Sequence, residues 1–236
     1  MSKRVFDFVA ASTGLLLLSP VMLFVALWIK RDSPGPVFYR GRRAGRGGIP
    51  FQMLKFRSMV TNADKIGGPT TAGNDSRVTP SGRFVRKYKL DEIPQLINVV
   101  RGEMSLVGPR PEVVDKVEKY NWNERRILTL RPGITDWASI WNSDEGGVLA
   151  GAPDPDDAYE KVIRPGKLQL QLYYLENRSL ASDLKIIAAT LIRIVHKRYT
   201  PAEIKSYPTF RQLRASVARL VATEQIHRDK TNRPAA

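Results

Sequence analysis

Residues 8–29 form an almost unbroken apolar run, flanked by Lys3-Arg4 on one side and Lys30-Arg31 on the other, with Ser19-Pro20 at its centre. As a straight helix the run would be roughly 33 Å long, enough to cross a ~30 Å hydrocarbon core. Pro20 opposes that form, because it offers no N–H to the Leu16 carbonyl and its ring crowds the preceding turn. Ser19 can lend its hydroxyl to a freed carbonyl. The pattern predicts a helix broken at Ser19-Pro20 into arms of roughly 16 Å that enter and leave one leaflet, with both basic flanks cytoplasmic. A kinked full span with the N-terminus outside fits the same residues. A secretory signal peptide fits less well, since the core is too long and no small-residue cleavage site precedes Lys30-Arg31. On either non-secretory reading, Arg40, Arg42, Arg43 and Arg46 keep the following chain in the cytoplasm.

After the turn at Ser33-Pro34-Gly35-Pro36, residues 37–43 and 49–57 read as strands joined by a glycine-rich hairpin turn. That turn, carrying Arg46, is also a candidate phosphate cradle. Residues 61–80 hold two glycine clusters and read as a mobile loop. Leu90, Ile93, Leu96, Ile97 and Val100 recur at helical spacing, and Pro94 belongs in a first turn, so a helix is predicted to start near Asp91-Glu92. Further helices are predicted over 168–174 and 184–194, and a basic amphipathic helix follows Pro201 with Phe210, Leu213, Val217 and Leu220 along one side. That last stripe suits anionic lipid, a partner or the domain core. Residues 228–236 read as disordered. The fold class is α+β, largely helical with a small β-hairpin: a membrane segment (1–31), a cytoplasmic domain (32–200) and the basic helix with its tail (201–236).

Composition narrows the chemistry. The 236 residues carry 38 Lys+Arg against 23 Asp+Glu, a net charge of +15. Such an excess suits anionic partners, and the apolar segment makes membrane lipid, rather than nucleic acid, the first choice. There is no cysteine, which excludes disulfides and thiolate metal sites, and only two histidines, which disfavours a histidine metal cluster or a serine triad. Chemistry then falls to carboxylates, Lys and Arg. The densest concentration is Asp91-Glu92, preceded by Arg83, Arg86, Lys87 and Lys89. The two acids could simply cap a helix. Alternatively, carboxylates among cations can serve as nucleophile and metal partner in phosphate chemistry.

Four motifs stand in order: Lys55-Phe56-Arg57-Ser58-Met59, Leu90-Asp91-Glu92-Ile93-Pro94-Gln95-Leu96, Met104-Ser105-Leu106-Val107-Gly108-Pro109-Arg110-Pro111 and Arg131-Pro132-Gly133-Ile134-Thr135. With the Ser19-Pro20 break and Asp183-Leu184-Lys185, they make the chain, from about Lys3 to Arg198, resemble bacterial sugar transferases of the monotopic phosphoglycosyl transferase family. The resemblance implies a re-entrant first helix on the cytoplasmic face of a bacterial inner membrane, with both termini cytoplasmic. It implies transfer of a phosphosugar from a nucleoside diphosphate sugar, usually a UDP-sugar, to polyprenyl phosphate, with Mg2+, as a first membrane step of polysaccharide or glycoconjugate synthesis. Asp91 would be the nucleophile that forms an aspartyl-phosphosugar and expels UMP, and Glu92 its catalytic partner, the two sharing the metal. Lys55, Arg57, Arg86 and Arg110 become candidates for the donor phosphates, and a homodimer is compatible with the family.

Two features stand outside that pattern. After Thr135 many members continue with Gly and a Gln-x-Asn-Gly-Arg stretch, whereas this chain reads Asp136-Trp137-Ala138-Ser139-Ile140-Trp141-Asn142. The resemblance there is to a different branch, which leaves the donor sugar open. Trp137 and Trp141 are candidates for a sugar platform, an interfacial anchor or buried packing. Asp154-Pro155-Asp156 has the spacing of a metal-binding Asp-x-Asp, as in a conventional glycosyltransferase that releases UDP, but its Gly/Pro/Asp-rich setting reads as a solvated turn. A non-enzymatic basic membrane scaffold is the other rival.

Overall fold

The computed structural model describes residues 2–67 and 75–231, so residues 68–74 of the expected mobile loop and residues 232–236 of the expected tail lie outside the described residues. Helix α1 (Lys3–Asp32) is capped by the Ser2 side chain and runs through Pro20 without interruption. The expected division into two helices at Ser19-Pro20 is corrected by one hydrogen bond. The Ser19 hydroxyl donates to the Leu16 carbonyl at 2.8 Å, supplying the partner that Pro20 cannot. Only 11% of its most apolar 18-residue stretch is buried, with Leu16, Leu17, Leu23 and Phe24 all exposed.

Both ends of α1 are nevertheless fastened to the rest of the chain. Near its start, Lys3 Nζ lies 2.5 Å from the Asp183 carboxylate, and the Asp7 carboxylate accepts from the Ser105 hydroxyl at 2.8 Å and the Leu106 N–H at 3.2 Å. Near its finish, Val25 and Ile29 pack with Phe56 and Val85, and Asp32 accepts from the Ser81 N–H and hydroxyl.

Strands β1 (Phe38–Ala44) and β2 (Pro50–Phe56) pair antiparallel from Phe38 opposite Phe56 to Ala44 opposite Pro50. Their turn needs left-handed backbone at Gly47 and Gly48, which explains the glycines without a phosphate. Helix α2 (Pro80–Lys87) follows the loop, and α3 (Gln95–Arg101) ends where the Arg4 guanidinium donates to the Val99 and Val100 carbonyls, satisfying otherwise orphaned acceptors. The short strands β3 (Ser105–Val107) and β4 (Gly133–Thr135) pair in parallel, and Gly133 is required there because a Cβ would meet the Gly108 nitrogen at 2.1 Å.

The main core gathers around α4 (Trp137–Trp141), α5 (Glu145–Val148), α6 (Arg164–Asn177), α7 (Leu180–Val195) and α8 (Phe210–Thr231). Trp137 and Trp141 are buried in it, the Trp141 indole donating to the Pro208 carbonyl, so packing decides between their sequence alternatives. Leu213 and Val217 of α8 enter the same core. The helix continues to Thr231, into the segment from 228 that the sequence marked as disordered.

Candidate active site

The path from α2 to α3 sets the site. Lys89 adopts a left-handed conformation (φ 58°), which ends α2 and turns the chain into a separate 3-10 turn, Leu90–Glu92, before Pro94 opens α3. Asp91 and Glu92 therefore stand ahead of the predicted helix, on a tight turn rather than in its first helical turn. Asp91 is 8% exposed. Across from it, β2 delivers Lys55, whose Nζ lies 3.1 Å from Glu92 Oε1 and 3.8 Å from Asp91 Oδ2. Arg110 arrives from the segment after β3 and grips Glu92, with Nη2 bonded to Oε1 and Nη1 3.4 Å from Oε2. Behind Arg110, the Asp136 carboxylate accepts from its backbone N–H at 3.2 Å and from the Ser139 N–H and hydroxyl at 2.6 Å.

These contacts divide the two acids. Burial raises the pKa of Asp91 above the ordinary value, with Lys55 opposing it. Burial acts on Glu92 in the same sense, but Arg110 and Lys55 outweigh it and hold Glu92 well below the usual range. Lys55 is in turn lowered by burial, against the pull of Glu92. Among the described residues, Asp91 Oδ1 is buried with no hydrogen-bond partner, whereas the Glu92 carboxylate is shared by two cations. A hard cation that takes one or two carboxylates plus phosphate oxygens fits that free oxygen.

Asp91, Glu92, Lys55, Arg86 and Arg110 all line one cavity of about 930 Å³. Arg57 does not. Strand β2 ends at Phe56, so Arg57 lies beyond the pleat that aims Lys55 inward, and its guanidinium bonds the Ser33 and Pro34 carbonyls and the Ser33 hydroxyl. It braces the exit from α1. Asp154 is likewise spent locally, accepting from the Asp156 and Asp157 N–H groups as a helix cap, while Asp156 pairs with Lys116 at 3.5 Å.

Sequence reasoning missed a second charged cluster on the cavity wall. Lys167 of α6 bonds Glu112 and donates to the Tyr159 hydroxyl at 2.8 Å, and Tyr159 donates to Glu112 at 2.5 Å. Burial opposes ionisation of Glu112, yet Lys167 and the Tyr159 hydroxyl bring its pKa down to about 2. The signal in the sequence was a lysine one turn before Gln171, on the helix face that also carries Leu170 and Tyr174.

The cavity thus sets the buried Asp91 carboxylate among Lys55, Arg86 and Arg110, a setting that suits an anionic ligand. The model of the bacterial sugar transferase family matches residues 1–197, including every cavity residue named above. The chain belongs to that family. This family member is 38% identical over 198 residues to the UDP-N-acetylgalactosamine-undecaprenyl-phosphate N-acetylgalactosaminephosphotransferase of Aeromonas hydrophila, covering 82% of this chain and 43% of the relative. It is 40% identical over 197 residues to the UDP-glucose:undecaprenyl-phosphate glucose-1-phosphate transferase of Escherichia coli, covering 81% and 39%. It is 37% identical over 206 residues to the exopolysaccharide production protein ExoY of Rhizobium meliloti, covering 81% and 84%. The chain therefore spans about two fifths of the first two relatives and most of the third. Residues 201–236, with α8, lie beyond the matched segment.

Proposed function

We propose that the chain transfers a phosphosugar from a UDP-sugar to polyprenyl phosphate, giving polyprenyl-diphospho-sugar and UMP, as a first membrane step of polysaccharide or glycoconjugate synthesis. The observation that carries this reading is the buried Asp91 carboxylate, with one oxygen unpartnered, in a cavity lined by Lys55, Arg86 and Arg110. Relatives named for undecaprenyl-phosphate sugar phosphotransfer support the same acceptor and donor classes.

In the first step Asp91 attacks the β-phosphorus of the donor. An aspartyl O–P bond forms, the bridging P–O bond breaks, and UMP leaves with that bond's electron pair. A carboxylate is a weak nucleophile, but its acyl phosphate is a high-energy anhydride, so little of the donor's free energy is lost. In the second step an oxygen of polyprenyl phosphate attacks the same phosphorus and the Asp91 carboxylate is released. Lys55 and Arg110 neutralise the pyrophosphate as Asp91 approaches, and Arg86 adds further positive charge to the lining. Asp91 and Glu92 would hold Mg2+ together with the donor phosphates, where the ion supplies further charge neutralisation. With a matching UDP-sugar and polyprenyl phosphate, the expected nucleotide product is UMP. Release of UDP would overturn the reading in favour of direct glycosyl transfer.

The acceptor's lipid requires a membrane site, and the exposed apolar flank of α1 supplies one. In this reading α1 is re-entrant in the cytoplasmic leaflet of the inner membrane. Support comes from the contacts of Lys3, Arg4 and Asp7 with the same domain that holds Asp32, since a straight span would separate those ends by the bilayer thickness. Because the chain has no cysteine, Ser2→Cys installs a single reporter thiol. An impermeant thiol reagent should leave it unmodified in intact spheroplasts and label it once the membrane is opened. Labelling from outside in intact spheroplasts would establish a full span.

A further inference from the structure

The cavity has two walls of opposite chemistry. One carries Lys55, Arg86 and Arg110, and the other is the stretch 138–147, which contains no Lys or Arg and presents an amide, hydroxyls and carboxylates. We propose that Asn142 and Glu145 on this second wall select the donor sugar, accepting hydrogen bonds from the hydroxyls of an uncharged hexose. The inference rests on the phosphosugar-transfer reading of the cavity and deepens it.

Two observations locate the sugar here. Among the described residues, Asn142 Oδ1 is buried without a hydrogen-bond partner, although its Nδ2 donates to Glu145 Oε2 at 2.9 Å. A buried acceptor left unpaired is costly, and a ligand hydroxyl would satisfy it. The wall also follows directly on Asp136, which accepts from the Arg110 N–H at 3.2 Å and caps α4, so it adjoins the residue bonded to Glu92 beside the nucleophile. The sugar is attached directly to the phosphorus that Asp91 attacks, whereas uridine is one phosphate further away. A wall adjoining Arg110 is therefore placed for the sugar.

The chemistry of the wall sets the class of sugar. Acceptor oxygens suit hydroxyl donors, and the Glu145 carboxylate, with Asp144 beside it, repels a sugar that carries its own carboxylate. The wall is also firm. Asp144 is folded back to accept from the Gly147 N–H at 3.1 Å. Val148 and Leu149 are fully buried in the core with Leu213 and Val217 of α8, the helix beyond the family's matched segment. Rigid backing of this kind is what a specificity contact needs.

The test measures kcat/KM for UDP-glucose, UDP-galactose, UDP-N-acetylglucosamine and UDP-glucuronate in the parent, Asn142→Ala and Glu145→Gln, with UMP as a competitive inhibitor. Asn142→Ala should lower kcat/KM for the preferred uncharged donor by about 10–100-fold and change the ranking of donors. Glu145→Gln should raise UDP-glucuronate about tenfold relative to the preferred donor. The UMP inhibition constant should stay within about twofold in both, which also reports that the variants are folded. An unchanged ranking in both variants, or an equal loss for every donor accompanied by weaker UMP inhibition, would overturn the inference while UMP release by the parent leaves the transfer reading standing. If the parent releases UDP or no nucleotide from every donor, the transfer reading fails and this inference with it.

Discussion

Asp91→Asn should abolish formation of the phosphosugar adduct, lowering turnover by at least about 10³-fold, because an amide has no carboxylate oxygen to attack phosphorus. The substitution is nearly isosteric, and among the described residues Asp91 makes only a 3.8 Å contact with Lys55, so the fold should be retained. The same step carries a pH signature. Attack requires the ionised carboxylate, and burial raises the Asp91 pKa, so the acid limb of adduct formation should lie above the ordinary aspartate value of 3.8, the rate rising as pH passes through it. Single-turnover rates from about pH 4 to 8 check this. A normal turnover rate in Asp91→Asn would remove Asp91 from the chemistry.

Glu92→Gln should damage both stability and rate. The Glu92 carboxylate stands between Arg110 and Lys55, and neutralising it strips Arg110 of its bonded carboxylate and leaves Lys55 with only the more distant Asp91. Breaking such a buried pair costs about 3–5 kcal/mol, read as a fall in Tm of roughly 6–20 °C for a domain of this size. Turnover should fall about 10²–10³-fold as Arg110 loses the contact that aims it. Because a bound pyrophosphate would restore an anion beside both cations, the UDP-sugar should raise the Tm of the variant more than that of the parent. An unchanged Tm combined with a much higher Mg2+ requirement would assign Glu92 to metal binding alone.

The difference between these variants follows from geometry that the sequence only partly displays. The β-branched and aromatic content of 37–43 and 49–57, with glycines between, was sufficient to place the hairpin, because strand composition and left-handed turn residues are local properties. Helices over 168–174 and 184–194 were legible too, although they run from Arg164 to Asn177 and from Leu180 to Val195, and Leu184, Leu191 and Ile194 of the second one's apolar stripe stay exposed. Asp91-Glu92 was recognisable as a motif, but its setting was not: nothing local announces that Lys89 turns left-handed and detaches the acids from α3. The continuity of α1 hinged on one side-chain bond from Ser19, weaker as a sequence signal than the proline beside it. Arg57 was named from the Lys55-Phe56-Arg57-Ser58-Met59 motif, and a motif does not tell that β2 ends at Phe56 and that the next guanidinium turns to Ser33 and Pro34. Glu112, Lys167 and the stretch holding Asn142 and Glu145 reach the cavity from three separate parts of the chain, so their convergence is a tertiary fact with no local pattern. Asp7, an acid in the charged fringe of an apolar helix, belongs to the same class, since its partner Ser105 is 98 residues away.

In the proposed mechanism Asp91 carries the phosphosugar between donor and acceptor. That role is tested most directly by incubating the purified parent with a matching UDP-sugar in the absence of polyprenyl phosphate, then measuring the nucleotide released, the intact mass and the modified peptide. The expected result is one UMP per adduct and a mass increase of one phosphosugar, located on Asp91 and lost when polyprenyl phosphate is added. An adduct on another residue, or efficient transfer to lipid with UDP as the product and Asp91 unmodified throughout, would contradict it.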